Sequence, residues 1–261
     1  MKFVVFFCLT ILILSTHSVA QVSYQEWADM GQPELTDNGP GVADPADRGG
    51  LTTFADRTSF DATAGTLPLE DFEGGLSAGV ATCTEPVNSS SNDACFVPGD
   101  LIAGFNISSS GGGGLVVLDD GFLGPTTDVI GANLFAEFTV VIFDAPDVTA
   151  IALDAFSGNP GAGDVTVRAF DAGSNSLGSV VVTTSANNVS EFVGFTSPVP
   201  IASIEIEGAG DSGELIDNLA FGAPVSLPET QPVPTLNAIG ILAAIVLLML
   251  VAGLALRTRF Q

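Results

Sequence analysis

The sequence predicts an all-β sandwich of about ten strands, and three observations carry the prediction. Apolar segments of strand length recur at short, even spacing. Gly, Pro and Asn punctuate the gaps between them. No long helical period intervenes, so parallel βαβ units are disfavoured.

In order, the candidate strands are TLPLEDFE, LIAGFNIS, GLVVLDD, LFAEFTVVIFD, TAIALDAF, DVTVRAFD, SLGSVVVTT, SEFVGFT, IASIEIEG and ELIDNLAFG. Ile201, Ser203, Glu205 and Glu207 alternate with Ala202, Ile204 and Ile206. Val165, Val167 and Ala169 alternate with Thr166, Arg168 and Phe170. This period of two predicts strands with one wet face around a single core. That core is fed by the 18 Phe, of which Phe3, Phe6 and Phe7 lie in the leader. Ahead of the strands, FADRTSFDATAG predicts one short helix carrying Phe54 and Phe60. Residues 21–50, rich in Pro, Gly and Asp, read as an extended or disordered arm, which Tyr24 and Trp27 would pin to the domain. SSSGGGG at 108–114 reads as a loop between strands. It lacks the Lys and helix of a phosphate-binding loop.

Both ends of the chain read as targeting segments. Lys2, the apolar run from Phe3 to Leu14 and the small residues Ser18 and Ala20 predict a signal peptide over 1–20, cleaved after Ala20. Cys8 lacks the small residues that would precede a lipoprotein cysteine. Ala238 to Leu256 holds no charged residue; at ~1.5 Å each, its ~19 residues reach ~28 Å, about one hydrocarbon core. Arg257 and Arg259 follow and predict a cytoplasmic end. Both signals place the middle of the chain outside the inner membrane. That middle divides into a sandwich over 51–222 and a Pro-rich spacer over 223–232.

Charge excludes one class of partner. All 30 acidic residues lie between the two targeting segments, where only Arg48, Arg57 and Arg168 oppose them. Nucleic acid would be repelled. Solubility in a salty habitat, divalent-cation binding and drift of a solvated surface each account for such acidity. Cys83 and Cys95, in an oxidising compartment, predict one disulfide closing the loop TEPVNSSSNDA.

The sole histidine, His17, belongs to the leader, and Lys2 is the sole lysine. A Ser-His-Asp triad, a Cys-His pair, a His-ligated zinc and a Schiff base are thereby removed from the mature stretch. Paired carboxylates remain available for glycoside chemistry, but the aromatic platforms of sugar sites are scarce, with one Trp and one Tyr. No enzyme is expected. The sequons at Asn88, Asn106 and Asn188 carry meaning only in a eukaryotic host.

Two stretches resemble known families. Val233-Pro234-Thr235-Leu236, the hydrophobic run and the terminal Arg257 and Arg259 resemble the IPTL-CTERM sorting signal of Gram-negative bacteria, a relative of PEP-CTERM; Gly240 is kept and Ile239 stands where that family has Trp. The resemblance implies processing by an exosortase-type enzyme after a transient inner-membrane stage. The body, from DFEG at Asp71–Gly74 to IDNLAFG at Ile216–Gly222, resembles jelly-roll ectodomains of such sorted proteins. Similar DFE and ID pairs hold a structural calcium in carbohydrate-binding jelly rolls. The resemblance thus implies Ca²⁺ at Asp71, Glu73 and Asp217: Phe72 facing the core would put Asp71 and Glu73 together on the other face.

The expected function is that of an exported, non-enzymatic protein of the cell surface or extracellular matrix, associating with exopolysaccharide. A secreted lectin domain or carboxylate-based glycoside-active enzyme is the alternative, and an unprocessed single-pass membrane protein is the second.

Overall fold

A computed structural model describes residues 22–31, 50–75, 79–158 and 162–224. The signal peptide with Ala20, most of the arm, the spacer beyond 224, the span 238–256 and the sorting residues Val233 to Leu236, Arg257 and Arg259 lie outside the described residues. Among the described residues no helix is long and apolar enough to cross a membrane.

The described chain is all-β with two short helices, α1 (Tyr24–Asp29) and α2 (Arg57–Ala64). Its strands run β1 (Thr52–Phe54), β2 (Leu69–Glu70), β3 (Val80–Cys83), β4 (Phe105–Ser109), β5 (Leu115–Leu118), β6 (Val129–Ala132), β7 (Thr139–Phe143) and β8 (Ala150–Ser157). They continue with β9 (Gly163–Phe170), β10 (Ser176–Thr184), β11 (Glu191–Thr196), β12 (Ser203–Gly208) and β13 (Glu214–Gly222). One sheet has the order β1-β11-β8-β13-β6-β5-β3, with β2 also on β13. The other has the order β10-β9-β12-β7-β4. Every described pairing is antiparallel.

The main core lies between the sheets. Val165, Val167, Ala169, Ile204 and Ile206 enter it from the five-stranded sheet, and Ile151, Leu153, Ala155, Val193 and Ile216 from the eight-stranded one. Phe72, Phe105, Phe143 and Phe221 fill one region of it through edge-on and tilted ring contacts. The five-stranded sheet keeps the alternation read from sequence: β12 buries Ile204 and Ile206 and turns Ser203, Glu205 and Glu207 outward.

The eight-stranded sheet is covered on its other face as well. Phe60 and Ala64 of α2 pack on Ala150, Ala152 and Ala220. Tyr24 and Trp27 of α1 pack on Val116, Leu118, Phe156 and Leu215. Double coverage explains why β5, β6 and β8 are buried at nearly every position, with no polar face to alternate. Asp56 caps α2 through Ser59 N at 2.9 Å.

Some expectations need correction. Within the supposed extended arm, Tyr24–Asp29 form a capped helix, because Ser23 and Glu26 close a capping box and the two aromatic rings are fully buried. Strands β1, β3 and β6 were not expected; each is three or four residues long and is held by its neighbours rather than by a pattern of its own. The strand expected through Asp71-Phe72-Glu73 stops at Glu70, because Phe72 adopts a left-handed backbone with φ 55°. Of the 108–114 tract, Ser108 and Ser109 end β4 and residues 110–114 form the expected loop before β5.

Cys83 and Cys95 are bonded, and both are buried. The bond ties the end of β3 to a loop that also pairs Val87 with Ile107 of β4. Closing a loop of this size constrains the unfolded chain by about 2–3 kcal/mol. Replacing both cysteines by serine should therefore lower the melting temperature by several degrees, as measured by calorimetry. Non-reducing peptide mapping should recover the linked pair, and free thiols at both positions would contradict it.

Candidate functional site

Along the outer face of the eight-stranded sheet, β8 presents Ala150 and Ala152 under α2 and Phe156 beside α1. Between them it presents Asp154. β13 does the same, with Leu215 toward α1, Ala220 toward α2, and Asp217 and Asn218 between. Asp154 and Asp217 are direct cross-strand partners. A polar stripe thus separates two hydrophobic cushions on one sheet face.

A bulge builds this stripe. The register of β13 against β8 shifts between Asp217 and Ala220, and Asn218 takes φ 53°. The extra residue lets Asp217 and Ala220 both face outward while Leu219 enters the main core. Asn218 Nδ2 then donates to Asp154 Oδ2 and to Asp217 Oδ2, each at 2.9 Å. Its main-chain N–H donates to Asp217 Oδ1 at 2.6 Å. Arg57 Nη2 donates to the Asn218 carbonyl at 3.1 Å and its guanidinium lies 4.9 Å over the Phe192 ring.

Two clefts open from the stripe and share Asp154 and Asn218. One, of about 240 Å³, lies toward Pro125, Thr127 and Asn188. The other, of about 540 Å³, lies toward α2, with Arg57, Leu69 and Phe192 in its wall. Within this groove, Leu67, Leu69, Phe192 and Ala220 give the second cleft an apolar part beside Arg57, Asp61 and Thr66.

Of the three residues expected to bind calcium, two meet. The Thr127 hydroxyl bridges Glu73 Oε1 and Asp217 Oδ2, the latter at 2.8 Å. Asp128 N also donates to Glu73 Oε1, at 3.1 Å. Asp71 does not join them as drawn. It stands exposed in the turn after β2, its Oδ1 accepting from Glu73 N at 3.3 Å, because the break at Phe72 removes the shared face. Among the described residues no group of three or more His, Cys, Asp or Glu side chains is disposed to hold a metal. The trio therefore does not fit calcium as the resemblance implied.

A proton fits better. One hydroxyl has one hydrogen, yet Thr127 touches two carboxyl groups. Its one hydrogen can serve only one of the two carboxyl groups at a time, so a proton on the other would complete the chain. Burial pushes Asp217 up to about 7, with the charges of Asp154 and Glu73 adding to it and hydrogen bonds from Thr127 and Asn218 opposing. Burial raises Asp154 as well, against its bond from Asn218 and the nearby Arg57.

Sequence reasoning missed Asp154, Asn218, Thr127 and Arg57. The available signal was an acid interrupting an otherwise apolar strand, as in TAIALDAF.

No protein family matches the chain, and no curated protein matches it. Solved structures resemble it distantly. A DUF4465 family protein from Bacteroides caccae is 8% identical over 46% of this chain and 82% of its own, with TM-score 0.31. The K1 cleaved adhesin domain of Lys-gingipain from Porphyromonas gingivalis is 16% identical over 61% of this chain and 99% of its own, with TM-score 0.30. The CBM22-1–GH10 modules of a Clostridium thermocellum endo-1,4-β-D-xylanase, complexed with xylohexaose, are 8% identical over 62% of this chain and 29% of theirs, with TM-score 0.28. Likeness at this level carries no functional argument.

The proton reading has a definite sign. The folded state holds Asp217's proton between its ordinary value of 3.8 and about 7. Stability therefore falls as pH rises through that window. Asp217→Asn should flatten this part of the pH–melting profile, and millimolar calcium should leave the wild-type melting point unchanged. A calcium-dependent rise that Asp217→Asn abolishes would restore the cation.

Proposed function

We propose that this chain is an exported, non-enzymatic protein of a Gram-negative cell surface or extracellular matrix, and that its outer groove binds a polyhydroxylated polymer. The observation that carries the reading is the polar stripe Asp154–Asp217–Asn218 on a sheet face that is otherwise apolar and helix-covered. The half-buried Asp154 carboxylate offers an acceptor to sugar hydroxyls. Phe192 and Leu69 offer apolar area to the faces of sugar rings. The acidic chain disfavours polyanions. Export rests on the signal peptide and on the disulfide Cys83–Cys95. The jelly-roll kinship, the exosortase step at Val233 to Leu236 and release from the inner membrane belong to the same proposal.

A neutral-glycan array probed with the full-length chain in detergent tests the groove. Binding to a defined glycan should weaken at least about tenfold in Asp154→Ala, the scale of one or two lost hydrogen bonds to a charged group. Equal binding by that variant would move the site elsewhere. Turnover of a glycan, lost in Asp154→Asn, would replace the binding reading with the glycosidase alternative.

Intact-mass measurement of surface-extracted protein tests the sorting step. The mature form should lack everything beyond about Pro234. Peptides containing Arg257 or Arg259 on that form would favour the unprocessed anchor.

A further inference from the structure

An open sheet edge presents unpaired main-chain groups and invites a further strand, so folded proteins blunt their edges. Most edges of this sandwich are blunted. In the eight-stranded sheet, β1 is three residues long, and β3 is four residues long with its last residue held in the disulfide. In the five-stranded sheet, β4 is closed from outside. Val87 and Ile107 exchange main-chain hydrogen bonds at 2.8 Å, and Ser109 N donates to Glu85 Oε1 at 2.6 Å.

The remaining edge, β10, is the exception. It is nine residues long and, among the described residues, pairs only with β9. It carries no proline and no charged residue, in a chain with 30 acidic ones. Its one irregularity, a register shift between Ser176 and Gly178, lies at its beginning; from Gly178 to Thr184 the register with β9 is unbroken. Along that length the flank of the core is open. Val180 and Val182 face the core but are only partly buried, whereas their partners Val167 and Val165 on β9 are fully buried. Between them Val181 points to the outer face and is 58% exposed.

The occupant that fits this edge is a second copy of it. Gly178–Thr184 reads almost symmetrically about Val181. An antiparallel pair centred there sets Val181 against Val181 and Ser179 against Thr183 on the outer face, and Val180 against Val182 on the core face. Cross-strand pairs of β-branched residues stabilise a sheet, and the Val180–Val182 pairs would cover the open flank of both cores. Charge permits the approach. Asp164 already accepts from the Thr183 hydroxyl, and Asp171 is turned into its own loop, accepting from Gly173 N and Asn175 N at 2.8 Å. The residues that follow the strand, 185–190, carry no charge. We propose that two copies of this chain join through antiparallel β10 edges about a two-fold axis at Val181, making one continuous sheet of their five-stranded sheets. The contact is smaller than a standard protein interface, so the dimer is reversible.

Sedimentation equilibrium of the full-length protein in a non-ionic detergent tests the pairing, over about 1 to about 200 μM, the range of weak interfaces. The wild type should show a reversible monomer–dimer equilibrium. Val181→Glu sets like charges directly opposite each other and should raise the dissociation constant about fivefold or more. At low concentration its melting temperature should match that of the wild type, because Val181 is exposed in the monomer. Val181→Thr, which keeps a β-branched side chain, should keep the dimer. A short bis-maleimide should link Val181→Cys into dimers, but not the wild type or Ile142→Cys, whose site is 49% exposed on β7 of the same sheet. A wild type that stays monomeric throughout the range, as it would if another segment or another protein filled the edge, overturns the proposal. An unchanged dissociation constant in Val181→Glu, or equal linking of Ile142→Cys, overturns it as well.

Discussion

The rest of the structure depends on the burial of one sheet from both sides. The eight-stranded sheet has the sandwich core behind it and two short helices on its front. Its central strands are therefore nearly continuous apolar runs, and Asp154 is the one residue of β8 that is not buried. A polar group placed on such a sheet must find its partners within the fold. The bulge at Asn218, the arginine brought in by α2 and the loop carrying Thr127 all meet that demand at the same spot.

Three carboxyl groups solve the burial problem in three ways. Glu70 accepts from two main-chain donors, Phe72 N at 2.8 Å and Ile102 N at 2.7 Å, and so anchors the turn after β2. Asp217 shares Thr127 with Glu73 and takes amide bonds from Asn218. Glu214 has neither a cation nor a full set of donors and is left to its proton. Arg168, one of the chain's few cations, is used elsewhere, 2.6 Å from Glu207 on the five-stranded sheet. In so acidic a chain, protons and amides do the work that arginine and lysine do in others.

The helices are small, and their role is positional. α2 supplies Arg57 to the bulge and Phe60 to the sheet, so it forms one wall of the groove. α1 closes the opposite cushion with the only Tyr and Trp of the chain. Large apolar rings on short elements bury enough area to hold them without long helical contacts.

By itself the sequence determined the fold class, a short helix within 54–65, most of the loop read at 108–114 and the pairing of Cys83 with Cys95. Period-two alternation, glycine and proline punctuation and two cysteines in a stretch read as exported are local signals. Composition also confines histidine and lysine to His17 and Lys2 near the start of the chain. Only the tertiary structure decided the rest. Glu73, Thr127 and Asp217 meet across more than a hundred residues of chain, as do Tyr24 and Glu214. Strand order sets such meetings, and no periodicity encodes it. The calcium trio failed for a local reason of the same kind. A single left-handed residue at Phe72 ends the alternation on which its geometry relied, and whether the chain turns there depends on the core pocket that receives the ring.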